Sequence, residues 1–83
     1  VNILYFAWVR EQIGLDCETL DPPAEIRDVA ALIGWLAMRS AAHAGALGDH
    51  ARLRAAVDQQ FVALDAPIAG AAEIALFPPV TGG

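Results

Sequence analysis

Residues 73–83 read EIALFPPVTGG, from Glu73 through Ile74, Ala75, Leu76 and Phe77 to Pro78-Pro79 and then Val80-Thr81-Gly82-Gly83. The first five alternate. Ile74 and Leu76 fall on one face of an extended segment, and Ala75 and Phe77 on the other, so the spacing predicts a strand over 73–77. Two prolines stop it. Proline fixes φ and removes a backbone donor, and Pro78 holds Phe77 extended. The chain therefore leaves the sheet as a stiff polyproline-like rod. Two residues without side chains follow it. This reading divides the chain into a folded body, 1–77, and an extended tail, 78–83.

Working back from the tail, LRAAVDQ at 53–59 and QFVALD at 60–65 read as two strands joined by a hairpin around Asp58–Gln60. Leu53, Ala55 and Val57 share a face, as do Val62 and Leu64; Phe61 and Ala63 point the other way. Asp28 is a good N-cap. Val29, Leu32, Ile33 and Leu36 recur at the spacing of one buried stripe, which predicts the main helix, running to about Ser40. Gly34 weakens that helix and suggests close packing on the sheet. Residues 41–51, AAHAGALGDHA, read as a loose connection with one turn of helix at most. Near the start, NILYFA at 2–7 is apolar at almost every position, which predicts a central strand covered on both faces. WVREQI at 8–13 forms a short helical turn ended by Gly14. DCETL at 16–20 is an edge strand. One good helix is thus available to cover one face of a sheet of about five strands. Phe61 and Phe77 then fall on the face the helix does not cover. They form a partner surface unless loops close over them.

Composition narrows the function classes. The chain has 83 residues, enough for one domain with a single modest core but not for a deep catalytic pocket. Its net charge is −5, from ten acidic residues and five arginines, with no lysine. Nothing beyond Arg52 and Arg54 clusters positive charge, which argues against nucleic acid and for a basic groove on a protein partner. No apolar run is long enough to span a bilayer, and VNILYFAWVRE lacks the form of a signal peptide. A cytoplasmic protein is expected. Cys17 is single and flanked by Asp16 and Glu18, so it reads as an inert, buried structural thiol. His43 and His50 lack a third convergent ligand and read as surface histidines, so no metal is expected. Trp8 and Trp35 read as packing residues. No Ser-His-Asp or Cys-His arrangement is visible.

The tail is where chemistry fits. From Phe77 to Gly83 it reaches roughly 20–23 Å, at about 3.3–3.6 Å per residue, enough to enter another protein's active site. Val80 and Thr81 can anchor it there. Gly82 and Gly83 let the last peptide pass a narrow channel and present its carboxylate. Adenylation with ATP would activate that carboxylate, and an amine or a persulfide could then attack it. The tether supplies effective concentration.

The stretches LYFAWVREQIG (4–14), AAVDQQFVALDAPI (55–68) and EIALFPPVTGG (73–83) resemble the small subunits of molybdopterin synthase, a family of ubiquitin-like sulfur carriers. The thiamine-pathway carriers also end in Gly-Gly but lack the Phe-Pro-Pro lead. The resemblance implies an α+β, ubiquitin-like β-grasp fold with the first and last strands central and parallel. It implies that a ubiquitin-activating-like adenylating enzyme uses ATP to activate Gly83, and that a sulfur donor enzyme converts the end to a thiocarboxylate. The tail then enters the large synthase subunit and gives its sulfur to cyclic pyranopterin monophosphate. The small subunit itself holds no stable cofactor and is not the catalyst; the catalytic groups belong to the large subunit of a heterotetramer. Arg10, in the family's Val-Arg-Glu stretch, is either a surface residue or half of an interface ion pair. Two departures stand out. Ala69-Gly70-Ala71-Ala72 replaces an acidic Asp-Gly-Asp turn, and Asp58 stands where Asn is common. Three classes remain: sulfur carrier, ubiquitin-like protein modifier, and interaction domain with an idle tail.

Overall fold

A computed structural model describes residues 1–79. The chain runs β1 (Asn2–Tyr5), α1 (Ala7–Ile13), β2 (Cys17–Thr19), α2 (Val29–Ala37), α3 (Ala41–Leu47), a 3-10 turn (His50–Arg52), β3 (Arg54–Val57), β4 (Gln60–Val62) and β5 (Glu73–Phe77). The strands form one mixed sheet in the order β2-β1-β5-β3-β4. β1 and β5 are parallel and central, pairing Asn2 with Glu73 through to Tyr5 with Leu76. The other pairings are antiparallel. This is the β-grasp arrangement, with the helices packed on one face.

Period two sorts the strand residues. Ile3, Tyr5, Ala55, Ile74 and Leu76 point toward the helices and are buried against Val9, Val29, Leu32, Ile33, Leu36 and Leu47. The α2 stripe predicted from spacing is the one buried, and Asp28 caps the helix by accepting a hydrogen bond from the Ala31 amide at 2.8 Å. Gly14 ends α1 at φ 87°, in the left-handed region that favours glycine. Gly34 meets no neighbour where a Cβ would stand, so close packing does not require it.

Two expectations need correction. Residues 41–47 form a full helix rather than a loose connection. Ser40 caps it by accepting from the His43 amide at 3.1 Å, and His43, Ala46 and Leu47 are buried. β1 is central as expected but covered on one face only. Leu4 and Phe6 look outward, and Phe6 is exposed.

The departure at Asp58 has a structural answer. Asp58 and Gln59 both have positive φ, 48° and 70°, as a two-residue hairpin turn requires. The Asp58 carboxylate accepts from the amides of Ala72 and Glu73, each at 2.9 Å, and its own amide donates to the Glu73 carbonyl at 2.9 Å. One side chain thus fastens the β3–β4 hairpin to the start of β5.

Candidate functional site

The uncovered face of the sheet is ordered by register. Cys17 lies opposite Leu4, Leu4 opposite Ala75, Ala75 opposite Ala56, and Ala56 opposite Phe61. Directly opposed residues share a face, so one row, Cys17–Leu4–Ala75–Ala56–Phe61, crosses all five strands. The next position toward the tail holds Phe77 with Arg54 opposite it. Phe61 and Phe77 pack at 5.7 Å between ring centroids, tilted by 54°. No loop covers Phe61, which is 81% exposed. Leu4, Phe6, Phe61 and Phe77 line a shallow groove of about 400 Å³. The two small residues in the row, Ala56 and Ala75, are shielded by their larger neighbours.

Phe77 ends β5, and Pro78 and Pro79 follow it, half-buried. The tail therefore leaves at the edge of this aromatic patch. Val80, Thr81, Gly82 and Gly83, assigned to the working end of the tail, lie outside the described residues. Arg10 is not part of the patch. It sits on α1, on the helical side, 3.9 Å from Asp16, with both side chains exposed. Such a pair adds little stability. A cleft of about 650 Å³ lies at the opposite end of the sheet, between Pro22, Pro23, Ile26 and Pro67, Ile68. It takes in Asp21 and Arg27 but no residue of the patch or tail root.

Three sequence-based assignments fail here. Cys17 is exposed rather than buried, because its alternation on β2 directs it to the uncovered face. His43 is a buried residue rather than a surface one. A Ser-His-acid string also exists. Ser40 Oγ is 2.7 Å from His43 Nδ1, and His43 Nε2 is 2.7 Å from Glu18 Oε2. The Tyr5 hydroxyl donates to the same Glu18 oxygen at 2.7 Å, and Arg39 Nη2 stands 3.7 Å from Oε1. The string has the order of a nucleophile–base–acid relay but works as a fastener. Ser40 Oγ is already the acceptor that caps α3, and neither cleft above includes Ser40. It ties α3 to the β2 edge, and among the described residues no buried side-chain polar atom lacks a partner. Sequence reasoning missed it because Glu18 and His43 are 25 residues apart. Among the described residues no group of three metal-ligating side chains converges.

Burial alone would raise the Glu18 pKa. Hydrogen bonds from His43 and Tyr5, with the charges of His43 and Arg39, outweigh it and hold the carboxyl below its ordinary value of 4.5. A carboxyl lowered by folding contributes stability that is complete above its unfolded pKa and is lost as pH falls through the folded value. Urea unfolding of the wild type and E18Q checks this. The advantage of the wild type is expected to be full at neutral pH and to shrink below the ordinary carboxylate value. An advantage that grows on acidification contradicts it. Burial, followed by the Glu18 hydrogen bond and charge, drives the Tyr5 hydroxyl pKa up, so the hydroxyl remains a donor well into the alkaline range.

Comparison with known proteins agrees with the fold. Residues 3–83 match the ThiS family. The chain is 42% identical over 83 residues to the molybdopterin synthase sulfur carrier subunit of Escherichia coli K12, covering 100% of this chain and 99% of that one. It is 36% identical, with the same coverage, to the molybdopterin synthase sulfur carrier subunit of Haemophilus influenzae Rd. Among solved structures, that of SAMP1 from Haloferax volcanii superposes with a TM-score of 0.70 at 25% identity, covering 99% of this chain and 97% of that one.

Proposed function

The chain belongs to the ThiS family, and from that premise we propose that it is the sulfur carrier subunit of a molybdopterin synthase. The observation that carries this reading is likeness to such a subunit over the whole chain, including a body that ends in a strand running straight into FPPVTGG.

The chemistry follows from a carboxylate on a stiff tether. Gly83 attacks the α-phosphate of ATP in an adenylating enzyme, giving an acyl adenylate and pyrophosphate. A persulfide on a sulfur donor enzyme displaces AMP and leaves an acyl disulfide. A thiol reduces that disulfide, releasing the thiocarboxylate and a mixed disulfide. The thiocarboxylate sulfur, held by the tail in the large synthase subunit, then attacks cyclic pyranopterin monophosphate and displaces an oxygen substituent; water cleaves the resulting thioester, which leaves the sulfur on the pterin and returns Gly83 as a carboxylate. ATP is a substrate of the activating enzyme rather than a cofactor of this chain, and the acid–base groups for the last step reside on the large subunit. The carrier supplies a reacting atom and a grip. The grip is the open face of the sheet, with Phe61 and Phe77 packed together beside the tail root. An apolar patch rimmed by polar residues suits a partner that covers it. No helix among the described residues is long and apolar enough to cross a membrane, and the proposed reactions place the work in the cytoplasm.

Intact mass of the untagged chain after incubation with ATP, its adenylating enzyme and a sulfur donor tests the reading. The expected gain equals one oxygen replaced by sulfur, on the peptide ending in Gly83. An unchanged mass with a competent enzyme overturns it. An amide to a lysine of another protein, in place of the sulfur gain, would assign the chain to protein modification.

A further inference from the structure

The open face carries a charge axis as well as an apolar row, and it points along the tail. Of the five arginines, Arg10 stands near Asp16, Arg39 near Glu18, and Arg52 over the Trp8 ring at 4.7 Å; Arg27 borders the cleft at the far end. Arg54 differs. It lies directly opposite Phe77, on the last rung before the tail, and lines a small groove with Phe61, Val62 and Phe77. One nitrogen, Nη1, donates to the carbonyls of Leu53 at 2.7 Å and Ala51 at 3.3 Å. That holds the guanidinium in place and leaves its remaining donors free for a partner. Among the described residues no carboxylate pairs with it. At the other end of the same strand, Glu73 shares the face, opposite Asn2, about 13 Å away along β5 at the usual strand rise.

Resting on the sulfur-carrier reading, we infer that Arg54 sets the docking orientation of this carrier on its large synthase subunit, by pairing with a carboxylate on the rim of the channel that receives the tail. The large subunit is the occupant because the full-length relatives are subunits of a synthase, and a standing complex must fix one register of tail in channel. The face supplies that register. It is positive at the tail root and negative at the far end, so a partner with the matching axis fits one way round. A reversed approach sets like charges against each other. A pre-held guanidinium beside two aromatic rings can offer a forked contact to a carboxylate at reduced entropic cost.

The test is binding of the large subunit to the full-length carrier, measured at low and at physiological salt, for wild type, R54Q and R54E. Arg54 is exposed on β3, and thermal unfolding confirms that each variant keeps its fold. R54Q is expected to weaken binding about fivefold and R54E about thirtyfold, mainly through slower association. The affinity of the wild type falls with salt, and that of R54Q falls less. R54E binding with wild-type affinity and wild-type salt dependence overturns the inference. If R54E does not fold, R54Q decides alone: an unchanged affinity and salt slope overturns the inference. Loss confined to adenylation, with large-subunit binding intact, moves the contact to the activating enzyme and also overturns it as stated. These outcomes are separable from the parent reading, because the sulfur gain on Gly83 is measured without the large subunit.

Discussion

A variant lacking Gly82 and Gly83 is expected to fold like the full chain and to transfer no sulfur. The folded body ends with β5 at Phe77, whose neighbours Ile74 and Leu76 are buried in the core. Among the described residues, the buried core runs from Ile3 to Leu76. The truncated chain still ends in a carboxylate, but on Thr81, whose branched side chain stands where the proposed channel needs an unobstructed peptide. It also ends two residues short, about 7 Å at the extended rise per residue. Tethered reactions owe effective molarities of roughly 10⁵–10⁸ M to placement alone. The expected loss of sulfur transfer is therefore at least about a thousandfold, with the thermal midpoint within a degree or two. Single-turnover transfer by the purified complex, beside a thermal melt, measures both. Transfer within tenfold of the wild type would show that the tail end is not the reacting part.

The second large effect separates the two faces of the sheet. Leu76 is fully buried on the helical side of β5, paired across to Tyr5 and Ala55. Leu76→Ala is expected to cost about 3–4 kcal/mol, from lost transfer energy and the cavity left behind. In a domain of this size that lowers the midpoint by roughly 15–25 °C and uses up much of a typical total stability. Phe61, on the opposite face and largely exposed, should behave in the reverse sense. Phe61→Ala is expected to change stability by no more than about 0.5 kcal/mol and to weaken partner binding about tenfold or more, as loss of an aromatic anchor does. Thermal unfolding and large-subunit titration of both variants form the check. A Phe61→Ala variant that unfolds early but binds normally would make the ring a structural element rather than a contact.

The sequence disclosed the parts of this fold that rest on local rules. The α2 stripe, the Asp28 cap, the Gly14 stop and the alternation of β5 were all readable, because each is decided within a few residues. The outward direction of Phe61 and Phe77 was readable for the same reason. What escaped notice was set by distant partners. Helix α3 has almost no large apolar stripe, only His43, Ala46 and Leu47 against the other helices. Its anchoring residue finds Glu18 on the far side of α2 in sequence. A histidine among alanines and glycines offers no local sign that a half-buried carboxylate awaits it. Cys17 was misplaced because frequency argues for a buried thiol, whereas its rung opposite Leu4 sends it outward. The unbroken apolarity of NILYFA was read as two covered faces. The chain covers one, and the other is the face proposed for the partner. An apolar run looks the same whether its second cover belongs to the chain or to another protein.

The parallel pairing of β1 with β5 also sets the order of events in time. It joins segments about seventy residues apart, and closing so long a loop is slow compared with forming a helix or a hairpin. Until β5 arrives, β1 has only β2 beside it, and β3 lacks its neighbour toward the centre of the sheet. The strand that completes the sheet is the same strand that extends into the tail. During synthesis β5 therefore emerges after the other four strands, and a partner that reads the assembled face meets only finished molecules. The topology acts as a completeness check: the open face exists as one surface only after β5 has joined β1 to β3.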